Sequence, residues 1–234
     1  MKLTLKRLSN IIGFILWMLF TTPLSAQNNK EDYLGSWSVL SIDHRLDKKI
    51  SIPTIGILQH YELFNHYEFA FFRTGISLHL NPKVTTTIGY GYLSSEPFSK
   101  NREAKGGTQH WMYEEVYLRS HLQKFAFDHR FRHETRWIRK DGERFHPYHR
   151  LRYRFQLKHP IRKNYYIRGF NELFINLQKS PFNQNRSYVG LGAYLNDDIS
   201  LDIGYMRNAF SDANFDRIRI CLSFRLDYRK NTAD

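Results

Sequence analysis

Charged and apolar side chains alternate along residues 125–156. This part of the chain has the residues best suited to form a site, because its charged side chains recur at a regular spacing. Residues 125–139 read FAFDHRFRHETRWIR, and residues 148–156 read YHRLRYRFQ. Successive side chains of a strand point to opposite faces, so this period of two predicts strands with one ionic and one apolar face. We call the ionic set the ionic ladder. Its candidate members are Glu115, Arg119, Asp128, Arg130, Arg132, Glu134, Arg136, Arg150, Arg152, Arg154, Arg168 and Glu172.

Two hairpins would bring opposite charges of the ionic ladder together. One is expected to be centred between residues 123 and 124, and the other on residue 162. The pairs expected to face each other are Arg119 with Asp128, Glu115 with Arg132, and Arg152 with Glu172. Such cross-strand pairs contribute about 0.2 to 1 kcal/mol each. The ladder can therefore be a structural plug of salt bridges, or a positive constriction that favours anions, as rings of arginine do.

The sequence gives little support for metal binding, serine hydrolysis or phosphate binding. His129 and His133 lie four residues apart, which is about 13 Å along a strand, so this pair alone does not predict a metal site. A lipid-acting serine hydrolase needs serine, histidine and an acid or amide in contact, and Ser120, His121 and Asn171 lack a diagnostic spacing. The strand glycines do not follow the pattern of a phosphate-binding loop. No catalytic residue, metal or cofactor is predicted, and an enzyme acting on lipid or lipopolysaccharide remains the alternative.

The elements that must position the ladder are strands along most of the chain. The strand candidates are 37–46, 50–64, 67–80, 84–93, 111–123, 125–139, 148–156, 165–178, 186–195, 199–207 and 215–228. An arginine-rich polar face fits the wet interior of a membrane barrel better than the solvent face of a sandwich. The prediction is an all-β, transmembrane, antiparallel up-and-down barrel. Bacterial barrels usually have an even number of strands, so the eleven candidates favour twelve strands, with ten as the alternative.

The alternation also predicts which side chains face lipid. Those expected to point outward are Leu78, Val116, Leu151, Phe155, Val189, Leu191, Leu201, Ile203, Leu222 and Phe224. Aromatic residues near strand ends suit a girdle at the membrane interface. The girdle candidates are Trp37, Tyr67, Tyr92, Trp111, Trp137, Tyr148, Tyr165, Tyr205 and Tyr228.

The start of the chain predicts export. Within residues 1–26, a basic segment, a short apolar run and a small-residue end form a secretory signal peptide, which leaves residues 27–234 as one barrel domain. The formal net charge is +13, but export argues against nucleic acid as a partner. Cys221 is the single cysteine, so no intramolecular disulfide supports the fold.

Three segments carry a resemblance to a known family. Residues 149–161 read HRLRYRFQLKHPI, residues 165–177 read YYIRGFNELFINL, and residues 183–195 read NQNRSYVGLGAYL. Together they resemble the domain of unknown function 2490 family, exported barrel proteins of Gram-negative bacteria. The resemblance implies a barrel in the cell outer membrane and no established activity. The expected partners are outer-membrane lipid and lipopolysaccharide, and small anionic solutes if the barrel is a narrow channel rather than a structural envelope component.

Overall fold

A computed structural model describes residues 33–97, 106–140, 144–178 and 180–231. These residues form strands β1 Gly35–Arg45, β2 Ile50–Glu62, β3 Asn65–Asn81, β4 Val84–Ser95, β5 Gly107–Leu122, β6 Phe125–Lys140, β7 His146–Arg162, β8 Tyr165–Asn176, β9 Phe182–Tyr194, β10 Ile199–Ala209 and β11 Asn214–Asp227, and a 3-10 helix Tyr228–Asn231. The predicted signal peptide, residues 1–26, lies outside the described residues. Within the described ranges, no helix combines the length and apolarity needed to cross a membrane.

The strands close into one barrel, in which each strand pairs with its neighbours in sequence and β1 pairs with β11. Consecutive strands are antiparallel, whereas β1 and β11 are parallel, with Gly35 opposite Arg217. The predicted all-β barrel is confirmed, and the strand number lies between the predicted ten and twelve. The even-number rule that favoured twelve does not hold, because closure between the first and last strands in parallel gives an odd number.

The two ends of the barrel differ in their connections. At one end, the turn end, the connections are 46–49, 82–83, 123–124, 163–164 and 195–198, each of two or four residues. At the other end, the loop end, they are 63–64, 96–106, 141–145, 177–181 and 210–213, and the longest has eleven residues. The longer connections therefore lie at the loop end, where only the connection 63–64 is as short as two residues. Residues 98–105 and 141–143 of the loop end lie outside the described ranges.

The outer face of the wall is apolar. Eight of the ten residues predicted to face outward have exposed side chains: Leu78, Val116, Leu151, Phe155, Val189, Leu191, Leu201 and Ile203. Leu222 and Phe224 are half-buried. The ionic side chains lie inside, where Glu134 is completely buried. Most of the charged side chains of the sheet therefore lie inside and its exposed apolar side chains lie outside, which is the reverse of a soluble protein's arrangement.

Two tryptophans correct the predicted girdle. The sequence places Trp37 and Trp111 at the membrane interface, but they are only 5% and 8% exposed and line the lumen. The reason is strand parity. Trp111 lies four residues before Glu115, so both side chains point to the same face of β5. The aromatic content of this chain is therefore shared between the outer face and the lumen.

Lumen-facing glycines make room for tyrosine rings. A Cβ at Gly89 would lie 2.5 Å from the ring of Tyr113, and a Cβ at Gly192 would lie 2.1 Å from the ring of Tyr166. Both tyrosines are 2% exposed. A ring that covers a strand glycine restores packing that the missing side chain would otherwise forfeit. This close packing is the physical reason for these strand glycines.

Candidate functional site

Glu134 lies at the centre of an ion network in the lumen. Its carboxylate accepts hydrogen bonds from Arg150 Nε at 2.9 Å and Arg150 Nη2 at 2.6 Å, and from Arg152 Nη1 at 2.6 Å. Arg132 Nη1 approaches the same carboxylate to 3.5 Å. The four residues come from neighbouring strands β6 and β7, whose antiparallel pairing sets Glu134 opposite Arg150. One buried carboxylate is therefore the shared counter-ion of three arginines.

Two further glutamates extend this network. Glu115 accepts a hydrogen bond from Arg132 Nε at 2.8 Å and lies 3.7 Å from Arg73. Glu172 bonds to Arg130 and lies 2.8 Å from Arg152 Nη2. Because both glutamates are at most 5% exposed, their charges are neutralised by these arginines rather than by water. The network joins β3, β5, β6, β7 and β8 across the lumen.

The register of one hairpin corrects the sequence analysis. The first hairpin has the expected centre, with Arg119 opposite Asp128 and Glu115 opposite Arg132. In the second, Arg152 faces Phe174 and Arg154 faces Glu172, which is a shift of two residues. The turn is residues 163–164, and a β-bulge lies between Pro160 and Arg162. A shift of two keeps every side chain on its face, so Arg152 still reaches Glu172 diagonally.

The other members of the predicted ladder lie outside this network. Arg119 and Asp128 are 4.0 Å apart near the turn end, where both are partly exposed. Asp128 also accepts a hydrogen bond from Gln156 at 2.7 Å. Arg168 pairs with Asp202 on β10 at 2.6 Å. The twelve predicted residues therefore form one network and smaller groups along the lumen.

Three lumen arginines are bonded to neutral groups. Arg136 Nη2 donates to Gln109 at 2.9 Å, Arg154 Nη2 donates to the hydroxyl of Tyr117 at 2.8 Å, and Arg186 Nε donates to Asn208 at 2.7 Å. Within the described part of the chain, these guanidinium groups form no ion pair with a carboxylate. We call Arg136, Arg154 and Arg186 the uncompensated arginines. They add three positive charges to the lumen, beyond the surplus of five arginines over three glutamates in the ion network.

The residues that the structure describes line two cavities in the lumen. The loop-end cavity has a volume of about 270 Å³ and is lined by nine arginines and two glutamates. The turn-end cavity has a volume of about 340 Å³ and is lined by seven arginines and three acidic residues. The residues common to both linings are Val39, Ile55, Arg73, Arg130, Arg154, Phe170 and Arg219. The positive surplus therefore extends through the level where the cavities meet.

Several charged residues of the lumen were not among the predicted members of the ionic ladder: Glu68, Arg73, Arg186, Asp202, Arg217 and Arg219. Parity could have found most of these residues, because Arg217 and Arg219 alternate with outward apolar residues as the ladder does. Glu68 is different. It sits where the β2–β3 register shifts between Gln59 and His60, and it bonds to Arg217, 149 residues away. No local pattern in the sequence indicates that contact.

In the described part of the chain, the histidines and the asparagine considered for other chemistry have partners of other kinds. His129 bonds to the hydroxyl of Tyr153, whereas Asn171 bonds to Asn185 and Ser187. His133 instead contacts Glu114 at 2.9 Å on the outer face. Across the described ranges, no group of three His, Cys, Asp or Glu side chains is placed to hold a metal ion. The polar chemistry of the barrel is therefore concentrated in its arginine-lined lumen.

Comparison with known proteins gives one finding. The chain matches the family model described as "Protein of unknown function (DUF2490)" over residues 34–219. A search of the curated proteins finds no match. The matched range begins just before β1 and ends within β11, so it takes in most of the barrel wall, including every strand that supplies the ion network.

Proposed function

This chain belongs to the DUF2490 family of unknown function, and we propose that it is an outer-membrane β-barrel whose arginine-rich lumen passes small anions. One observation carries the proposal: the large apolar side chains of the wall face outward while a surplus of arginine faces inward. A membrane barrel needs the first feature, and a narrow anion pathway needs the second. Outer-membrane lipid and lipopolysaccharide are the partners that this proposal implies.

The outer wall supports the membrane location. Exposed apolar side chains such as Ile76, Ile88 and Leu191, each more than half exposed, occur on strands around the barrel. Soluble monomers rarely expose apolar patches larger than a few hundred Å². Contact with lipid removes this cost.

Fractionation tests the location. We expect the mature protein to sediment with outer membranes and to migrate faster on gels before boiling than after it. Recovery of folded protein in the periplasmic fraction without detergent would contradict the membrane location.

The electrostatics of the lumen support the anion preference. Around the loop-end cavity, nine arginines face two glutamates, and within the described ranges the uncompensated arginines donate hydrogen bonds only to neutral groups. Charges of one sign in a cleft with low-dielectric walls raise the local concentration of counter-ions. The narrow lumen keeps a passing ion within a few ångströms of this surplus.

Conductance of the full barrel in planar bilayers tests the anion preference. The informative variant replaces Arg136, Arg154 and Arg186 by glutamine, because it lowers the lumen charge by three and leaves the carboxylates of the ion network paired. We expect wild type to conduct chloride in preference to potassium, and the triple variant to show a clearly weaker preference, because six arginines still line the loop-end cavity. Arg139→Gln, which removes an exposed charge near the loop end of β6, is the matched control.

Two results would contradict this proposal. If wild type and the triple variant had equal selectivity, the three arginines would not determine which ions the barrel conducts. A folded wild type that conducts no ions would remove the channel and favour a structural envelope role. In that case, incubation with labelled phospholipid distinguishes the structural role from lipid hydrolysis.

A further inference from the structure

The loop-end cavity has two chemically different walls. On strands β1–β5 its lining is mainly apolar, and includes Trp37, Ile57, Phe69, Phe71 and Trp111. These side chains belong to two hydrophobic clusters, and Ile57 and Phe69 pack against both. Among the lining residues on these five strands, Arg73 is the only arginine. We call this side the apolar wall.

The opposite side of the cavity is cationic. Strands β6, β7 and β9 contribute seven of its nine arginines. In the strand order of the barrel, β7 lies across the lumen from β1 and β2, and β9 lies across it from β3 and β4. We call this side the cationic wall. A solute in the cavity therefore meets apolar side chains on one side and guanidinium groups on the other.

Four buried donors on the cationic wall lack an acceptor among the residues that the structure describes. Two of them, Arg136 Nε and Gln184 Nε2, lie toward the loop end, and the other two are Arg130 Nε and Arg154 Nε. Gln184 is 6% exposed, and all four residues line the loop-end cavity. A buried donor without a partner costs free energy, and a bound carboxylate or sulfonate would supply the missing acceptor. The cavity thus holds N–H groups suited to an anion.

Aromatic rings of the apolar wall contact arginines of the cationic wall. The guanidinium of Arg186 lies 4.5 Å from the ring centre of Trp37, and those of Arg136 and Arg150 lie 5.3 and 5.4 Å from Trp111. Cation–π contacts of this kind hold the arginines against the apolar wall. The charged head and the apolar body of one small solute would therefore both find partners within the same cavity.

From these features we infer that the loop-end cavity binds a small organic monoanion with an apolar body, such as an aromatic carboxylate. An inorganic anion would use the cationic wall and leave the apolar wall in contact with water, whereas an organic anion uses both. A volume of about 270 Å³ suits a body of about one ring. This inference rests on the proposed anion pathway and names the class of anion.

Isothermal titration of the full chain in detergent micelles tests this inference with benzoate and acetate. We expect benzoate to bind about tenfold or more tightly than acetate, because only benzoate buries a ring on the apolar wall. Ile57→Gln should abolish that difference, and Arg136→Gln should weaken both anions. Val39→Thr is a near-isosteric second variant for the case that Ile57→Gln does not fold. Ser223→Ala, in the turn-end cavity, should change neither affinity.

Each outcome separates this inference from the proposed function. Equal affinities for benzoate and acetate, or a benzoate preference that survives in the apolar-wall variants, would overturn the organic-anion site. If chloride still passes in that case, the proposed function stands alone. Benzoate binding that depends on Ile57, in a barrel without conductance, would support the site and contradict the channel.

Discussion

Neutralising Glu134 should destabilise the barrel more than any other single charge change in the lumen. The carboxylate is completely buried and lies within 3.5 Å of three arginines, Arg132, Arg150 and Arg152. Glu134→Gln keeps the size of the side chain and an oxygen acceptor. It removes only the charge, and so leaves three neighbouring cations without their common counter-ion.

The magnitude follows from burial. Removal of one partner from a buried ion pair costs about 3 to 5 kcal/mol, because an uncompensated charge remains in a low dielectric. The matched control is Asp128→Asn. That carboxylate is 23% exposed and its arginine lies 4.0 Å away, so its loss should cost less than about 1 kcal/mol. The two substitutions change the net charge of the lumen equally.

Urea unfolding of each variant in lipid vesicles, followed by the gel-mobility shift of the folded barrel, measures the difference. We expect the unfolding free energy of Glu134→Gln to fall by several kcal/mol relative to that of Asp128→Asn. Equal losses would refute the reasoning, because they would mean that water screens the buried ion network as fully as it screens the partly exposed pair of Arg119 and Asp128.

Three further predictions concern the outer face, the strand packing and a turn. Leu191→Arg places a charge on the lipid face, at a cost of about 2 to 4 kcal/mol, and should impair membrane assembly in cells far more than Ser223→Arg, which faces the lumen. Gly204→Ala should lower the unfolding free energy by about 1 to 3 kcal/mol, because its Cβ would lie 2.2 Å from a backbone carbonyl of β9, whereas Gly56→Ala meets nothing within 4 Å and should be neutral. Asp47 accepts two backbone N–H hydrogen bonds in its turn at 2.5 and 2.7 Å, which lowers its pKa below the ordinary 3.8. The stability that Asp47 contributes is therefore present above pH 3.8 and is lost as pH falls through the lower folded pKa. The thermal midpoints of wild type and Asp47→Ala should differ at pH 7 and converge in acid.

Periodicity was sufficient to predict the wall of the barrel. The chain positions of all eleven strands and the inward face of β5, β6 and β7 follow from alternation, because a side chain's face depends only on parity. For the same reason, an error of two residues in the β7–β8 register left every face correct. The alternation along β5 also indicates that Trp111 faces the lumen. The prediction that it belongs to the girdle was based only on its position near a strand end.

Pattern reasoning could not predict contacts made across the lumen or at irregularities. The pair of Glu68 and Arg217 joins residues far apart in sequence at a β-bulge, and the parallel closure of β1 on β11 depends on the whole sheet. Which arginines pair with a carboxylate could not be predicted from the pattern either. Arg150 and Arg154 alternate identically on β7, yet one bonds to Glu134 and the other to Tyr117.

The central claim is that the lumen is a pathway whose fixed charge favours anions. Its most direct test is the reversal potential of single barrels in a planar bilayer under a tenfold gradient of potassium chloride. We expect a potential of the sign set by chloride, because the uncompensated Arg136, Arg154 and Arg186 add to the positive charge of the lumen. A reversal potential of the sign set by potassium, or one near zero, would contradict it.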